Sequence, residues 1–143
     1  ALILMDEEEA ERRNLDTFAR IVSYAVAGVD PNMMGMGPVP ATRMALKKAG
    51  LTIDEIDIVE LNEAFAVQVL ACINELSIDP AKLNVNGGAI AHGHPIAATG
   101  AILIIKAMYE LKRREGRYAL ITACIGGGQG ISLIIENTKW KYV

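Results

Sequence analysis

The sequence contains few cysteines, few aromatic residues and no long apolar run. Its two cysteines, Cys72 and Cys124, are too few for a disulfide framework and are typical of a protein in a reducing compartment. The longest apolar runs, such as Ala101 to Ile105, are far shorter than the roughly 18 residues that cross a membrane. The net charge is −3, and positively and negatively charged residues are interspersed along the sequence. We therefore predict no disulfide scaffold, no membrane partner and no nucleic-acid partner.

The chain is nevertheless rich in apolar residues, which make up 52% of its 143 residues and give a mean hydropathy of +0.28. The length suits one domain, and this much apolar side chain is enough for a sizeable core. A single small domain seldom needs so many apolar side chains for its core, so we expect some of them to lie at an interface. No repeat, low-complexity stretch or linker divides the sequence.

The N-terminus begins with the apolar run Ala1 to Met5, without an initiator methionine, and the acidic residues Asp6 to Glu9 follow. It lacks the basic start and the long apolar stretch of a signal peptide. We interpret the run as a buried strand whose beginning has been removed, with a short native first strand as the alternative. The predicted location is the cytoplasm. Mitochondria and peroxisomes stay open, because the location depends on the true N-terminus.

Strands and helices alternate along the chain, which indicates the α/β class. The predicted strands are Leu2 to Met5, Phe18 to Ala27, Asp57 to Leu61, a brief Val85 to Gly87, Tyr118 to Cys124 and Gly130 to Glu136. The predicted helices are Asp6 to Asn14, Ala41 to Ala49, Glu63 to Leu76 and Ala98 to Glu115. The glycine-rich turn between the last two strands predicts an antiparallel hairpin.

Three loops stand out because each follows a predicted strand, where α/β proteins gather ligand-binding and catalytic groups. They are Asn62 to Ala66, Gly87 to Pro95 and Cys124 to Gly128. A free cysteine such as Cys124 is most often a small buried hydrophobe. The glycines after it would also let a ligand approach a thiol, and they would leave backbone N–H groups free for a developing oxyanion.

His94 lies between Gly93 and Pro95, just before the longest predicted helix. Its imidazole is either a catalytic group, which donates to a carbonyl oxygen or deprotonates a thiol, or a loop histidine bonded to backbone. His92 places a second imidazole two residues earlier, so His92, His94 and Cys124 are also considered as zinc ligands. No other Cys or His pair supports zinc, and we expect no metal.

The remaining candidate residues have simpler structural alternatives. Asn62 either caps the next helix or positions a water or a substrate oxygen. Glu63 is expected to bond to nearby backbone amides rather than to act as a general base. Phe65 is core or pocket wall, and Met34 and Met36 are either core filler or the lining of a substrate slot.

Taken together, these motifs resemble the C-terminal domain of the thiolase family along essentially the whole chain. The matching segments are MGMGP (Met34 to Pro38), NEAFA (Asn62 to Ala66), NVNGGAIAHGHPIAATGA (Asn84 to Ala101) and CIGGGQG (Cys124 to Gly130). These segments resemble those of acetyl-CoA acetyltransferases somewhat more than those of long-chain 3-ketoacyl-CoA thiolases. The resemblance implies a three-layer α-β-α domain with a five-stranded mixed sheet. Residues 1–143 would be this one domain, with its first strand truncated and the N-terminal thiolase domain absent.

The resemblance implies catalytic roles in acyl transfer between CoA thioesters. Asn62 would hold a water that forms an oxyanion hole with His94, and His94 would also activate the nucleophilic cysteine of the acylation step. Cys124 would be the acid/base that takes a proton from the α-carbon of acetyl-CoA. Gly126 would lend its N–H to a second oxyanion hole.

The resemblance also implies the substrate slot and the partners. Phe65 and the loop that carries Met34 and Met36 would border the slot. CoA is substrate and carrier, so no cofactor is expected. The acyl-accepting cysteine belongs to the N-terminal half of a thiolase, and neither Cys72 nor Cys124 matches its position. We therefore expect the chain alone to be inactive, its partners being acyl-CoA, the N-terminal half and further copies in a dimer or tetramer.

Two alternatives share this fold. In the first, the chain is a subunit of a split thiolase. In the second, it is a non-catalytic acyl-CoA-binding or assembly module.

Three departures from the family pattern leave turnover and substrate range open. His92 stands where Leu is common, Ala97 stands where Gly is usual, and Ile102 stands where Arg is common.

Overall fold

The computed structural model describes residues 1–139. Its strands are β1 (Ala19–Gly28), β2 (Ile58–Leu61), β3 (Tyr118–Ile125) and β4 (Gln129–Asn137). Its α-helices are α1 (Glu7–Arg12), α2 (Pro38–Ala49), α3 (Ala66–Leu76), α4 (Ala89–His92) and α5 (Ile96–Arg114). Short 3₁₀ helices cover Pro31–Met36, Ile53–Glu55 and Pro80–Lys82. The alternation of strands and helices that the sequence predicts is confirmed.

The four strands form one mixed sheet in the order β1-β4-β3-β2. Strands β3 and β4 form the predicted antiparallel hairpin, in which Cys124 pairs with Gly130. Strand β1 pairs antiparallel with β4, and β2 pairs parallel with β3. Because β2 and β3 are parallel neighbours, their carboxyl ends meet at one edge of the sheet, where ligand-binding groups gather in α/β folds.

Helices cover both faces of the sheet, which gives the three layers that the sequence predicts. On one face, α2 and α3 pack against alternate strand residues such as Leu120 and Ile134. On the other face, α5 packs Leu103, Ala107 and Leu111 against the intervening strand residues. The period of two along β3 and β4 therefore sends side chains into both cores, as expected for a sheet that is buried on both sides.

The sheet has four strands within residues 1–139, so the prediction of five strands is wrong for the described part of the chain. Residues 2–5 form no strand, and Ile3 and Leu4 are 89% and 77% exposed. An apolar run becomes a strand only when a neighbour pairs with its backbone groups, and no described strand lies beside this one. The brief strand predicted at Val85 to Gly87 is also absent. Only Leu83 bridges to β2, because the chain turns at Asn84, whose φ is 43°.

Two predicted helices begin at other residues than expected. Helix α3 begins at Ala66 rather than at Glu63, since Glu63 is drawn towards a neighbouring loop instead of into the first turn. Helix α5 begins at Ile96, two residues before the predicted start, directly after Pro95 in its N-cap position. Proline suits the start of a helix because it has no N–H to leave unpaired.

Gly37 and Gly130 pack backbone against backbone, where helix α2 begins beside the β3–β4 hairpin. A Cβ on Gly37 would lie 2.2 Å from the Gln129 carbonyl oxygen. We expect Gly37→Ala to lower the free energy of unfolding by about 3 kcal/mol, because backbone must move to admit the methyl group. Urea denaturation of the wild-type chain and the variant measures this difference.

Gly100 provides the matched control for this substitution. It lies in α5, and a Cβ there would meet no atom within 4 Å. Gly100→Ala is expected to raise the free energy of unfolding by about 0.5–1 kcal/mol, since glycine is the poorer helix former. Equal stability of the Gly37→Ala variant and the wild-type chain would contradict the packing described here.

Candidate active site

The first part of the site lies where β2 and β3 end. In the parallel register Leu61 pairs with Thr122, and the backbone N–H of Asn62 donates to the Thr122 carbonyl at 2.9 Å. Asn62 is thus fixed at the sheet edge, and Cys124 lies at the end of the adjacent strand. The two strand-end residues that the sequence singled out are therefore neighbours. Asn62 is almost fully buried. It does not cap helix α3, because Phe65 occupies the N-cap position of that helix.

Glu63 anchors the glycine-rich loop that carries the two histidines. Its Oε2 accepts a hydrogen bond from the Ile90 backbone N–H at 3.0 Å, and its Oε1 accepts one from Asn84 Nδ2 at 2.9 Å. The contact needs a glycine at position 88, because a Cβ on Gly88 would lie 2.2 Å from the Glu63 carboxyl carbon. Glu63 therefore has the structural role that the sequence favours.

Asn84 is a second anchor of the same loop, and sequence reasoning assigned it no role of its own. Its Oδ1 accepts from the Leu61 N–H at 2.9 Å, and its Nδ2 donates to the Leu61 carbonyl at 2.9 Å. The side-chain amide thus pairs with β2 as a neighbouring strand would. The sequence does offer one signal for a turn at this position. Asparagine tolerates the positive φ of a turn, and Asn84 comes shortly before Gly87 and Gly88.

His94 is brought to the strand ends by the anchored loop. Its Nε2 lies 3.4 Å from Asn62 Nδ2, and its Nδ1 lies 2.6 Å from Thr99 Oγ1. Thr99 is in the first turn of α5 and is buried. The sequence pointed to Asn62 and His94 but not to Thr99, because nothing in a helix-forming segment marks one hydroxyl as the partner of a preceding loop histidine.

Cys124 is half-buried at the end of β3, and burial raises the pKa of its thiol. Since the ordinary value is already above 8, the thiol carries its proton at neutral pH. Within residues 1–139, no hydrogen bond joins Cys124 to His94. The turn that follows contains Gly126, Gly127 and Gly128, and the last two have φ values of 84° and 89°. Only glycine adopts these conformations easily, so the turn can stay open beside the thiol.

The other residues predicted for the site have different environments. Phe65 is in the N-cap position of α3 and is 60% exposed. Met34 is half-buried in the 3₁₀ helix, whereas Met36 packs against the core. The ring of His92 is exposed beside the Gly93 carbonyl.

A buried ion pair lies beneath the loop, and sequence reasoning missed it. Glu60 is fully buried, and its Oε2 accepts a hydrogen bond from Lys106 Nζ at 2.8 Å. Lys106 also donates to the Gly87 carbonyl at the start of the loop. Burial raises the pKa of the Glu60 carboxyl, and the Lys106 ammonium opposes that rise. Glu60 Oε1 has no hydrogen-bond partner in the described part of the chain.

Neither a metal centre nor a membrane-crossing helix is found in residues 1–139. No three His, Cys, Asp or Glu side chains of this part of the chain are grouped so as to hold a metal ion. None of its helices has the length and apolar character to cross a membrane.

Comparison with known proteins decides the family. Residues 15–137 match the family model described as "Thiolase, C-terminal domain". The chain belongs to the thiolase family. It corresponds to the C-terminal domain, and the resemblance read from the sequence motifs is confirmed.

Two thiolase relatives illustrate how far the match extends. The chain is 57% identical over 137 residues to a beta-ketothiolase of Cupriavidus necator, and 54% identical over 138 residues to the mitochondrial 3-ketoacyl-CoA thiolase of Bos taurus. Each match covers 96% of this chain but 35% of the relative. The chain therefore spans about a third of the length of these thiolases.

Solved thiolase structures share the fold. The acetyl-CoA acetyltransferase of Bacillus anthracis superposes with a TM-score of 0.91 at 47% identity, covering 93% of this chain and 34% of that one. A human mitochondrial 3-ketoacyl-CoA thiolase in complex with CoA superposes with a TM-score of 0.86 at 54% identity, covering 92% and 34%. The thiolase fold of this chain is thus established.

Proposed function

We propose that this chain is the catalytic C-terminal half of a thiolase. The complete protein would convert two acetyl-CoA molecules into acetoacetyl-CoA and CoA, or cleave a 3-ketoacyl-CoA with CoA in the reverse direction. The observation that carries the proposal is the contact between Asn62 and His94 at the end of β2, beside the strand that ends in Cys124. An amide, an imidazole and a thiol together can bind an oxyanion and move a proton.

In this proposal the nucleophile comes from the N-terminal half of the protein. His94 takes the proton of that cysteine, and the resulting thiolate attacks the carbonyl carbon of acetyl-CoA. The Asn62 amide, through a water, and His94 then stabilise the developing oxyanion. The bond from the carbonyl carbon to the CoA sulfur breaks, the acetyl group stays on the cysteine, and CoA leaves as a thiolate. No metal or prosthetic group takes part, and CoA is substrate and carrier.

Cys124 supplies the second proton transfer. Because its thiol is protonated at rest, it can protonate the departing α-carbon during thiolysis. During condensation Cys124 first gives its proton to the departing CoA thiolate, and the Cys124 thiolate that results then removes a proton from the α-carbon of the second acetyl-CoA. The backbone N–H of Gly126, in the open turn, would stabilise the enolate or oxyanion on this side. Phe65, Met34 and Met36 would border the slot for the acyl-CoA.

Exposed apolar side chains support the need for a partner surface. They lie on α3, on α4 and at the start of α5: Val67, Leu70, Ile90 and Ile96. Large exposed apolar surface is typical of an interface. We assign it to contacts within the complete protein, which we expect to be a homodimer or tetramer.

Activity assays of the complete protein and of this chain test the proposal. The complete protein is expected to cleave acetoacetyl-CoA when CoA is added, as followed by the loss of the enolate absorbance. The purified chain is expected to show no turnover, because it lacks the acyl-accepting cysteine. Failure of the complete protein to act on any 3-ketoacyl-CoA would contradict the proposed function, and thiolase-like turnover by the chain alone would contradict its incompleteness.

A further inference from the structure

Each ring nitrogen of His94 faces one polar side chain. Asn62 Nδ2 is 3.4 Å from Nε2, and Thr99 Oγ1 is 2.6 Å from Nδ1. A neutral imidazole carries one proton, and its two nitrogens then have opposite roles as donor and acceptor. The partners at the two nitrogens therefore decide which of them is free to accept a proton from a substrate or a thiol.

The hydroxyl group of Thr99 has only one hydrogen to donate. Its Oγ1 lies 3.0 Å from the Pro95 carbonyl oxygen, which can only accept. With its hydrogen directed there, Oγ1 can meet His94 Nδ1 only as an acceptor. This arrangement requires the proton of His94 to be on Nδ1.

The contact with Asn62 leads to the same assignment. Its amide nitrogen can only donate, so His94 Nε2 must accept and carries no proton. In the reverse arrangement, Asn62 Oδ1 would accept from Nε2–H and Thr99 would donate to Nδ1. The single hydrogen of the Thr99 hydroxyl would then point to His94 Nδ1, and its hydrogen bond to the Pro95 carbonyl would be lost. The first arrangement keeps both contacts of Thr99, and it leaves Asn62 Oδ1 without a donor among the described residues.

We propose that Thr99 is a positioning residue that holds His94 as the Nδ1–H tautomer and so keeps the Nε2 lone pair directed to the strand ends. The use of that lone pair rests on the function proposed above. There Nε2 accepts the proton of the nucleophilic thiol. The S–H bond breaks, its electron pair stays on sulfur, and a new N–H bond forms. The imidazolium that results keeps its Nδ1–H bond to Thr99 Oγ1, which orients it and stabilises its charge.

Solid-state ¹⁵N NMR reads the tautomer directly. The complete protein would be labelled with ¹⁵N-histidine, and the signals of His94 would be assigned by their loss in His94→Asn. We expect a protonated Nδ1 and an unprotonated Nε2 in the wild-type protein and in Thr99→Ser. In Thr99→Val and Thr99→Ala, which remove the acceptor, the Nδ1–H population is expected to fall. A wild-type protein with the proton on Nε2, or an unchanged tautomer in both hydroxyl-free variants, would overturn the proposal.

Kinetics of the same variants separate positioning from a general structural effect. Thr99→Val is expected to lower kcat by roughly tenfold to a hundredfold, as when the partner that orients a functional histidine is lost. KM is expected to change little, and Thr99→Ser is expected to restore kcat. Equal kcat in Thr99→Val and the wild-type protein would overturn the role. A protein that shows the Nδ1–H tautomer but no thiolase activity would instead contradict the proposed function alone.

Discussion

Replacing His94 by alanine is expected to lower the kcat of the complete protein by roughly 10²–10⁴-fold, the range that a positioned general acid or base contributes. The ring contacts both Asn62 and Thr99. In the proposed mechanism its loss removes the acceptor for the thiol proton and one donor of the oxyanion hole. Steady-state cleavage of acetoacetyl-CoA by the variant and the wild-type protein measures the effect.

His92→Ala is the matched control for this variant. His92 is also a histidine of the same loop, but its ring is exposed, and its Nδ1 lies 3.1 Å from the neighbouring Gly93 carbonyl oxygen. Its replacement is expected to change kcat little. If His94→Ala kept the wild-type kcat while the protein remained folded, the assignment of His94 would be wrong. If His92→Ala lost as much activity as His94→Ala, the roles of the two histidines would have to be revised.

Replacing Lys106 by methionine is expected to lower the free energy of unfolding of the chain by about 3–5 kcal/mol at neutral pH, the usual cost of leaving one partner of a buried ion pair alone. Glu60 is fully buried, and Lys106 is the cation that contacts its carboxylate. Methionine keeps most of the volume of the lysine stem, so the loss reports the charge rather than the packing. Thermal or urea unfolding followed by circular dichroism measures it.

The pH dependence of this loss has a definite sign. Burial already raises the pKa of Glu60, and removal of Lys106 raises it further. A carboxyl whose folded-state pKa is raised destabilises the fold progressively as the pH rises through that pKa. The difference between Lys106→Met and the wild-type chain is therefore expected to grow from acid to neutral pH. Glu60→Gln in the Lys106→Met background should recover part of the loss at neutral pH.

Lys47→Met is the control for the loss of a lysine. Lys47 is exposed in the last turn of α2, so its replacement is expected to change stability by less than about 0.5 kcal/mol. If Lys106→Met were as stable as Lys47→Met at neutral pH, Lys106 would not stabilise the buried carboxylate.

The position of the site could be predicted from sequence because it depends on strand ends. Asn62 and Cys124 each follow an apolar run, and the carboxyl ends of neighbouring parallel strands lie together. His94 was predicted from its place between Gly93 and Pro95, in a loop after a third short apolar segment. Local patterns of this kind determine where each strand ends, and therefore which residues lie together at the edge of the sheet.

The partners of these residues could not be predicted in the same way. Thr99 reaches His94 only because α5 begins at Ile96, two residues before the predicted start. Lys106 reaches Glu60 from the third turn of that helix, across a separation of 46 residues. Such contacts depend on how α5 is placed against the sheet, and no local pattern encodes this placement.

One prediction that failed, a strand at Leu2 to Met5, has a related cause. Its apolar character is compatible with a strand, but strand formation depends on a paired neighbour. The described residues offer none, and the run stays exposed. Where the pairing partner was close in sequence, as in the β3–β4 hairpin, the prediction was confirmed.

Hydrogen–deuterium exchange at the methyl group of acetyl-CoA tests the central proposal most directly, because it reports α-proton removal without the rest of the reaction. The complete wild-type protein in D₂O is expected to exchange these protons, followed by ¹H NMR or mass spectrometry. Cys124→Ala is expected to slow the exchange by roughly 10²–10⁴-fold while still binding CoA, as measured by calorimetry. Exchange at the wild-type rate in Cys124→Ala would contradict the assignment of Cys124 as the acid/base at the end of β3.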